Sequence, residues 1–482
     1  MNASTGSAIV FRNGLVLTMD DSRTILNRGD VLVVGDRIAG VGQNLAAPEG
    51  AVEIDASGGI VMPGFVDTHR HMWQTAMRGY GADWTLTQYF VWYYLQFGKL
   101  FRPEDIYAGN YLSALEAIDT GVTTSVDWSH GLQSTQHADA AVDALTAIPG
   151  RFVLGYGNIQ QGSWEWSTSP EFRDFINRRI TVGDDMLGFQ ICFDLPARGE
   201  ADAWPEKTTF EVARDLGVAV STHSGVWNVT KDDSIKWMHD SGFMGPSNIY
   251  IHAATLSPDS YQRIAATGGS ISVSAESEAS AGQGYPTTWE ARKYGIPVSL
   301  SNDTSVWWNA DMFAAMRQTL NADRIREHHE AHLQGETITN LSARAQHAVE
   351  WATRGGSKAL GWDSRIGSLE AGKKADVVLL KNDQDPAMAP IINPYGHVVY
   401  QAQRADVHTV VVNGRIVKRD HTLLVGNVPT AKANVERTIE YLVGEMGYDA
   451  WASGMSPEIP EQQKRAMDNP YMYTEYKEKT EA

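Results

Sequence analysis

Two histidines one residue apart, with an aspartate just ahead of them, stand in Asp67-Thr68-His69-Arg70-His71. Histidines at i and i+2 of an extended segment project from the same side, so both can reach one ion. Three more residues of ligand type, His223, His252 and Asp303, each close a short apolar run. Any one histidine alone reads as a packed or surface residue, but four histidines and one aspartate at matching places form a pattern. Three or four nitrogen and oxygen donors with room for a water describe a catalytic site for a divalent transition metal. His328-His329-Glu330-Ala331-His332 offers a competing pair one helical turn apart, although its charged neighbourhood fits a solvated face better. Cys192 is the single cysteine, which rules out a thiolate cage and an intrachain disulfide; it reads as a buried small apolar residue and not as a nucleophile.

The elements that must carry these residues are short apolar strands alternating with segments of helical period, the pattern of a parallel sheet built from βα units. Eight strands are expected, over Ile60–Val66, Thr123–Asp127, Phe152–Gly157, Gly188–Phe193, Val218–His223, Ile249–His252, Ser270–Ser274 and Val298–Asp303. Helices over Pro103–Thr120 and Ser257–Thr267 lie between them, each ending at a glycine. Eight such units close most naturally into a barrel, where reactive groups sit at the C-terminal ends of the strands. No glycine-rich phosphate loop follows the first strand, which counts against an open doubly wound sheet.

Hairpin signals occupy both flanks: Ala8–Phe11 and Leu15–Met19 around Arg12-Asn13-Gly14, Val31–Val34 and Ile38–Val41 around Gly35-Asp36-Arg37, then Val377–Leu380 and His408–Val412 with Asn413-Gly414. The organisation expected is a composite β-sandwich from residues 1–57 and 366–425 and a (β/α)8 TIM-like barrel over 58–365. A C-terminal helical extension and tail covers 426–482, with Tyr473–Ala482 alternating Glu and Lys.

The 482 residues carry 58 acidic against 40 basic side chains, a formal charge of −18 that repels phosphate backbones and anionic membrane surfaces. Nucleic acid and membrane are therefore not expected partners. No stretch approaches the roughly 18 apolar residues of a membrane-spanning helix, and Met1–Val10 lacks the basic start of a secretory signal. A cytoplasmic protein is the expectation. At 43% hydrophobic and 20% charged residues the chain has the composition of a globular protein.

Pro63-Gly64-Phe65-Val66-Asp67-Thr68-His69-Arg70-His71 resembles the metal-binding segment of the amidohydrolase superfamily. Gln74, Arg78 and Gly79 extend the likeness to its triazine hydrolase and cytosine deaminase-like branch. Ala352-Thr353, Gly355-Gly356 and Ala359-Leu360-Gly361 resemble that branch's late helix, and Ile366–Asp376 its return to the β domain. The resemblance covers about residues 8–420. It implies that His69, His71, His223 and Asp303 bind one divalent ion, zinc or iron, with His252 beside it, and that the protein is a homo-oligomer. Binuclear relatives bridge two ions with a lysine at the end of strand four, whereas Gly183–Pro196 contains none. A mononuclear site follows.

A divalent ion brings the pKa of its water from 15.7 to roughly 7. Asp303 is placed to take the water's proton and His252 to polarise the electrophile. Deaminases of the branch carry a glutamate three residues after the strand-five histidine; here that residue is Val226. Glu276 or Glu278, in the unusual Ser274-Ala275-Glu276-Ser277-Glu278, are candidates to supply the missing proton transfer, the alternative being solvated loop acids. Gln74, His130, Trp84, Glu276 and Glu278 make up the expected substrate contacts. Seven aromatic residues between Tyr89 and Phe101 form a pocket wall, a subunit interface or plain packing, and Trp164, Trp166, Trp227, Trp307 and Trp308 follow strands three, five and eight.

These residues point to a metal-dependent hydrolase of a small, partly apolar, cyclic or aromatic substrate, cleaving an amide, urea, carbamate or ring C–N bond or a related C–X bond. The alternatives are hydrolytic deamination of a nucleobase-like heterocycle, a lyase or isomerase using the same Lewis acid, and a catalytically silent binding protein.

Overall fold

The computed structural model describes residues 8–158, 165–194, 206–226 and 233–458. The chain opens with β1 (Ala8–Leu17), β2 (Ile25–Val34), β3 (Arg37–Gly42), β4 (Val52–Asp55) and β5 (Ile60–Pro63). The turn expected at Arg12-Asn13-Gly14 does not form. β1 runs straight through it with register shifts on both sides of Gly14. Asn13 takes a left-handed φ of 60°, its amide donates to Asp30 Oδ1 at 3.0 Å, and the Arg12 guanidinium holds Asp30 Oδ2 at 2.9 Å. Those bonds absorb the irregularity as a bulge instead of reversing the chain.

Eight parallel strands follow: β6 (Phe65–Arg70), β7 (Val122–Ser129), β8 (Arg151–Tyr156), β9 (Leu187–Asp194), β10 (Ala219–Ser224), β11 (Asn248–His252), β12 (Ser270–Val273) and β13 (Val298–Leu300). They pair in sequence order from β6 to β13, with helices such as Pro103–Asp119 and Pro258–Thr267 between them. The ring closes where the His71 amide donates to the Asp303 carbonyl at 2.7 Å and the Asp303 amide donates to the His69 carbonyl at 3.1 Å. This is a (β/α)8 barrel. The single strand expected over Ile60–Val66 is two: Gly64 separates β5, which joins the flanking sheet, from β6, which opens the barrel. A Cβ on Gly64 would lie 2.1 Å from Thr123 Oγ1, so only glycine passes between the two sheets here.

β14 (Val377–Leu380), β15 (Val407–Val412), β16 (Arg415–Arg419) and β17 (Thr422–Leu423) complete the second sheet, in the order β17-β16-β15-β14-β5-β1-β2-β3 with β4 beside β1. Both flanks thus share one sheet through the antiparallel pair β14 and β5. Helices Val428–Met446 and Tyr448–Gly454 then return to the barrel, where Thr438 Oγ1 donates to Asp105 Oδ1 at 2.7 Å. The charged Tyr473–Ala482 tail lies outside the described residues. Among the described residues, no helix is long and apolar enough to cross a membrane.

Arg151, at the start of β8, ties the barrel to the flanking sheet. Its guanidinium grips Asp376 at 2.9 and 3.1 Å, both side chains are buried, and the Asn413 amide adds a 2.8 Å bond to Asp376. Removing one member of such a pair strands the other charge. Arg151→Met is therefore expected to cost about 3–5 kcal/mol of unfolding free energy in urea. A loss below about 1 kcal/mol would show that the pair does not join the two sheets energetically.

Candidate metal centre

The interior of the barrel beneath the expected site is polar rather than filled by branched apolar side chains. Thr68 Oγ1 lies 2.7 Å from Ser272 Oγ and 2.8 Å from Ser299 Oγ, and the Trp128 indole donates to Ser221 Oγ at 2.8 Å. These bonds brace the strands whose ends carry the ligand-type residues.

At those ends the chain brings together His69 and His71 from β6 and its edge, His223 from β10, His252 from β11 and Asp303 beyond β13. Asp303 Oδ1 lies 3.2 Å from His69 Nε2 and 3.4 Å from His71 Nε2, and His223 Nε2 lies 3.3 Å from His69 Nε2. Donors about 2.05 Å from a tetrahedral ion are separated by about 3.3 Å, so the spacing fits one such ion. Two trios, His69 with His71 and His223, and His69 with His252 and Asp303, have ligand atoms within 4.8 Å of one another.

The donors are held with their nitrogens presented inward. His71 Nδ1 donates to the Trp128 carbonyl at 2.9 Å and His223 Nδ1 to Asp194 Oδ1 at 2.5 Å, which leaves both Nε2 lone pairs free for the cluster. Burial pushes the His69 and His130 imidazoles well below their ordinary value and His71 down to about 3, so these rings are neutral donors. Burial opposes ionisation of Asp303, but the His69 contact and the surrounding imidazoles outweigh it and hold its carboxyl well below the usual range. His252, Ala253 and Asp303 adopt φ values of 65°, 51° and 55°. Left-handed backbone in non-glycine residues costs energy and collects where function requires it.

Around the cluster, His130 places its ring 4.2 Å from that of His71. Gln74 spans from Tyr89 Oη, at 2.6 Å, to Thr304 Oγ1, at 2.5 Å, and so buttresses the residue after Asp303. Glu278 is buried and contacts His252 Nδ1 at 3.1 Å. Trp84 is not brought to the cluster: its buried indole donates to the Gly454 carbonyl at 2.9 Å and anchors the C-terminal helix. The aromatic run behaves as packing, with Tyr89, Tyr93, Phe97 and Phe101 buried and Trp73 edge-on to Tyr93 and Phe101. Trp166 stacks on Tyr156 and Trp307 packs against Tyr89 with the ring planes tilted by 38°, while Trp164 and Trp227 lie outside the described residues. Cys192 is buried and bonded to the Gly155 carbonyl. His328 and His332 share the helix Met312–Leu333 and take no part in the cluster.

Two residues of the site escaped sequence reasoning. Asp194 ends β9 and orients His223; an acid closing the fourth strand was the signal for it. Arg70, between the two histidines, is buried and fastens β6 to Ser113 at 2.8 Å, Glu116 at 2.9 Å and Ser305 at 2.7 Å. Its neighbours come from distant sequence, so no local signal existed.

Glu276 is half-buried beside Asp311, and burial pushes its carboxyl up to about 7. The native protein thus keeps a proton that the unfolded chain releases near the ordinary glutamate value of 4.5. Its contribution to stability falls as pH rises from about 4.5 to 7. Glu276→Gln should therefore be more stable than the parent by about 3 kcal/mol at pH 8 and equal to it at pH 4. A difference independent of pH in urea titrations would refute this.

A closed barrel with a ligand cluster at its C-terminal face defines a metal-dependent hydrolase scaffold. Residues 60–417 match the Amidohydrolase family, and the chain belongs to that family. It is 28% identical to a 5-methylthioadenosine/S-adenosylhomocysteine deaminase of Symbiobacterium thermophilum, over 91% of this chain and 99% of that protein. It is 26% identical to a 5'-deoxyadenosine deaminase of Methanosarcina acetivorans, over 86% and 94%. Among solved structures, an adenosine deaminase of Xanthomonas campestris with bound zinc superposes with a TM-score of 0.76 at 18% identity, covering 91% of this chain and 99% of that one. The atrazine chlorohydrolase TrzN of Arthrobacter aurescens, complexed with zinc, superposes with a TM-score of 0.75 at 19% identity, covering 89% and 100%. The protein is a metal-dependent amidohydrolase that uses water to cleave carbon–nitrogen or related bonds of a small molecule.

Proposed function

We propose that this chain is a mononuclear enzyme that hydrolytically removes an amino group from a small purine-like heterocycle, with zinc as its metal. The observation that carries the reading is the convergence of three imidazole nitrogens and one carboxylate oxygen at 3.2–3.4 Å on the closing seam of the barrel. The deaminases that align along most of its length, and the zinc-bound neighbours, support the substrate class and the metal.

In this reading His69, His71, His223 and Asp303 hold the ion. A bound divalent ion makes hydroxide available near neutral pH. Asp303 accepts the proton of the attacking water, and His252, within 4.8 Å of it, steadies the charge that develops on the ring. Gln74 and His130 border the substrate. Val226 is buried and brings no titratable group, so the proton needed by the departing amine comes from Asp303 and His252. The same valine favours a second reading, hydrolysis of an amide, urea or carbamate, whose leaving group needs less help from that position.

The test is ammonia release from a panel of adenosine, 5'-methylthioadenosine, cytosine, aryl ureas and carbamates by zinc-loaded protein in oxygen-18 water. Deamination with kcat/KM above about 10⁴ M⁻¹ s⁻¹ and label in the product ring supports the first reading. Larger amine products without ammonia support the second, and turnover without label from water overturns both.

A further inference from the structure

Two residues after Glu276, a second glutamate takes a different direction. Glu278 lies in the first turns of the helix Ala275–Ala281, which starts directly after β12, and its side chain is fully buried. Its Oε1 accepts a hydrogen bond from the Ser274 amide at 2.7 Å and sits 3.1 Å from His252 Nδ1. Among the described residues its Oε2 has no hydrogen-bond partner. A carboxyl group enclosed in this way is costly unless it has a partner that uses it. That partner is His252.

Oε1 already receives one N–H, so it faces His252 as an acceptor, and Nδ1 of the imidazole must carry the hydrogen. That holds whether or not Glu278 is ionised, because Oε1 is engaged by the Ser274 amide while Oε2 has no partner among the described residues, so Oε2 is the oxygen open to a proton. With Nδ1 engaged, Nε2 is the nitrogen left to face His69 and Asp303, whose ligand atoms lie within 4.8 Å. The backbone adds to the constraint. His252 is held at a φ of 65°, and its carbonyl accepts from Thr287 Oγ1 at 2.7 Å. Its ring lies parallel to that of His223, with 7° between the planes and centroids 5.5 Å apart.

We infer that Glu278 is a positioning residue: it fixes His252 in the Nδ1–H form and so confines proton exchange by that imidazole to Nε2, the nitrogen that faces the reacting groups. The carboxylate absent at position 226 is thereby not replaced in kind. A glutamate from the helix that follows the neighbouring strand acts through a histidine. This rests on the role given to His252 in the proposed reaction, and its test is arranged so that the two can fail separately.

Glu278→Met fills similar space without an oxygen acceptor, and Glu278→Gln keeps one. With the panel substrate that gives turnover, Glu278→Met is expected to lower kcat about 100-fold, with KM within about threefold and metal content unchanged. Glu278→Gln restores kcat to within about fivefold of the parent. In a His252→Ala background, Glu278→Met adds no further loss, because its effect passes through the missing ring. Equal losses in both backgrounds, or Glu278→Gln as damaging as Glu278→Met, would overturn the inference. Nitrogen-15 histidine spectra of the metal-loaded parent decide the question without turnover or a folded variant: hydrogen on Nδ1 of His252 supports it and hydrogen on Nε2 alone overturns it. A harmless His252→Ala would instead sink the reaction proposed above.

Discussion

Asp303→Asn is expected to lower kcat by about 10³-fold while the protein keeps its fold and most of its metal. Asparagine retains an oxygen donor of the same shape, and it tolerates the left-handed φ of 55° that residue 303 adopts. The backbone bonds that close the barrel, from the His71 amide to the 303 carbonyl and from the 303 amide to the His69 carbonyl, do not involve the side chain. What the substitution removes is the carboxylate's capacity to take a proton, held ready by the low pKa of Asp303 among its imidazole neighbours. Steady-state kinetics beside elemental analysis and a thermal unfolding scan separate these effects. A variant within tenfold of the parent would deny Asp303 the role of base, and a metal-free variant would show that it acts only as a ligand.

The double variant His69→Ala/His71→Ala should lose both turnover and the ion. Each imidazole contributes a nitrogen that stands 3.2–3.4 Å from Asp303 Oδ1, and both come from one strand end, so their removal leaves His223 and Asp303 as an incomplete set. Metal per chain is expected to fall from about one to less than about 0.1, and turnover by more than about 10⁴-fold. The parent should also lose its metal-linked thermal stabilisation on treatment with a chelator, and the double variant should show no such change. Full metal retention by the double variant would place the ion elsewhere, and two ions per parent chain would contradict a mononuclear centre.

The contrast between these residues and those around them shows how far a sequence carries. The barrel strands were readable because β-rich runs of four to seven residues, separated by amphipathic helices, leave few packings that bury them. Strand ends therefore located His223, His252 and Asp303 without coordinates. The Asn13-Gly14 turn and the Ile60–Val66 strand misled because local chemistry was overruled by partners far along the chain: Asp30 in one case, β14 in the other. Trp84 lies close in sequence to the metal-binding segment, yet its indole is claimed by Gly454 at the far end of the chain.

By itself the sequence determined the barrel, the residue types at its catalytic face and the absence of a glutamate at position 226, since periodicity and ligand chemistry are local properties. Only the tertiary structure decided which nitrogen of each histidine faces inward. It also decided that Asp194 orients His223, and that of two neighbouring glutamates Glu278 meets His252 while Glu276 lies beside Asp311. Those outcomes depend on contacts of a few ångströms between strands separated by tens of residues, and hydrogen-bond geometry at that scale is set by packing rather than by spacing along the chain.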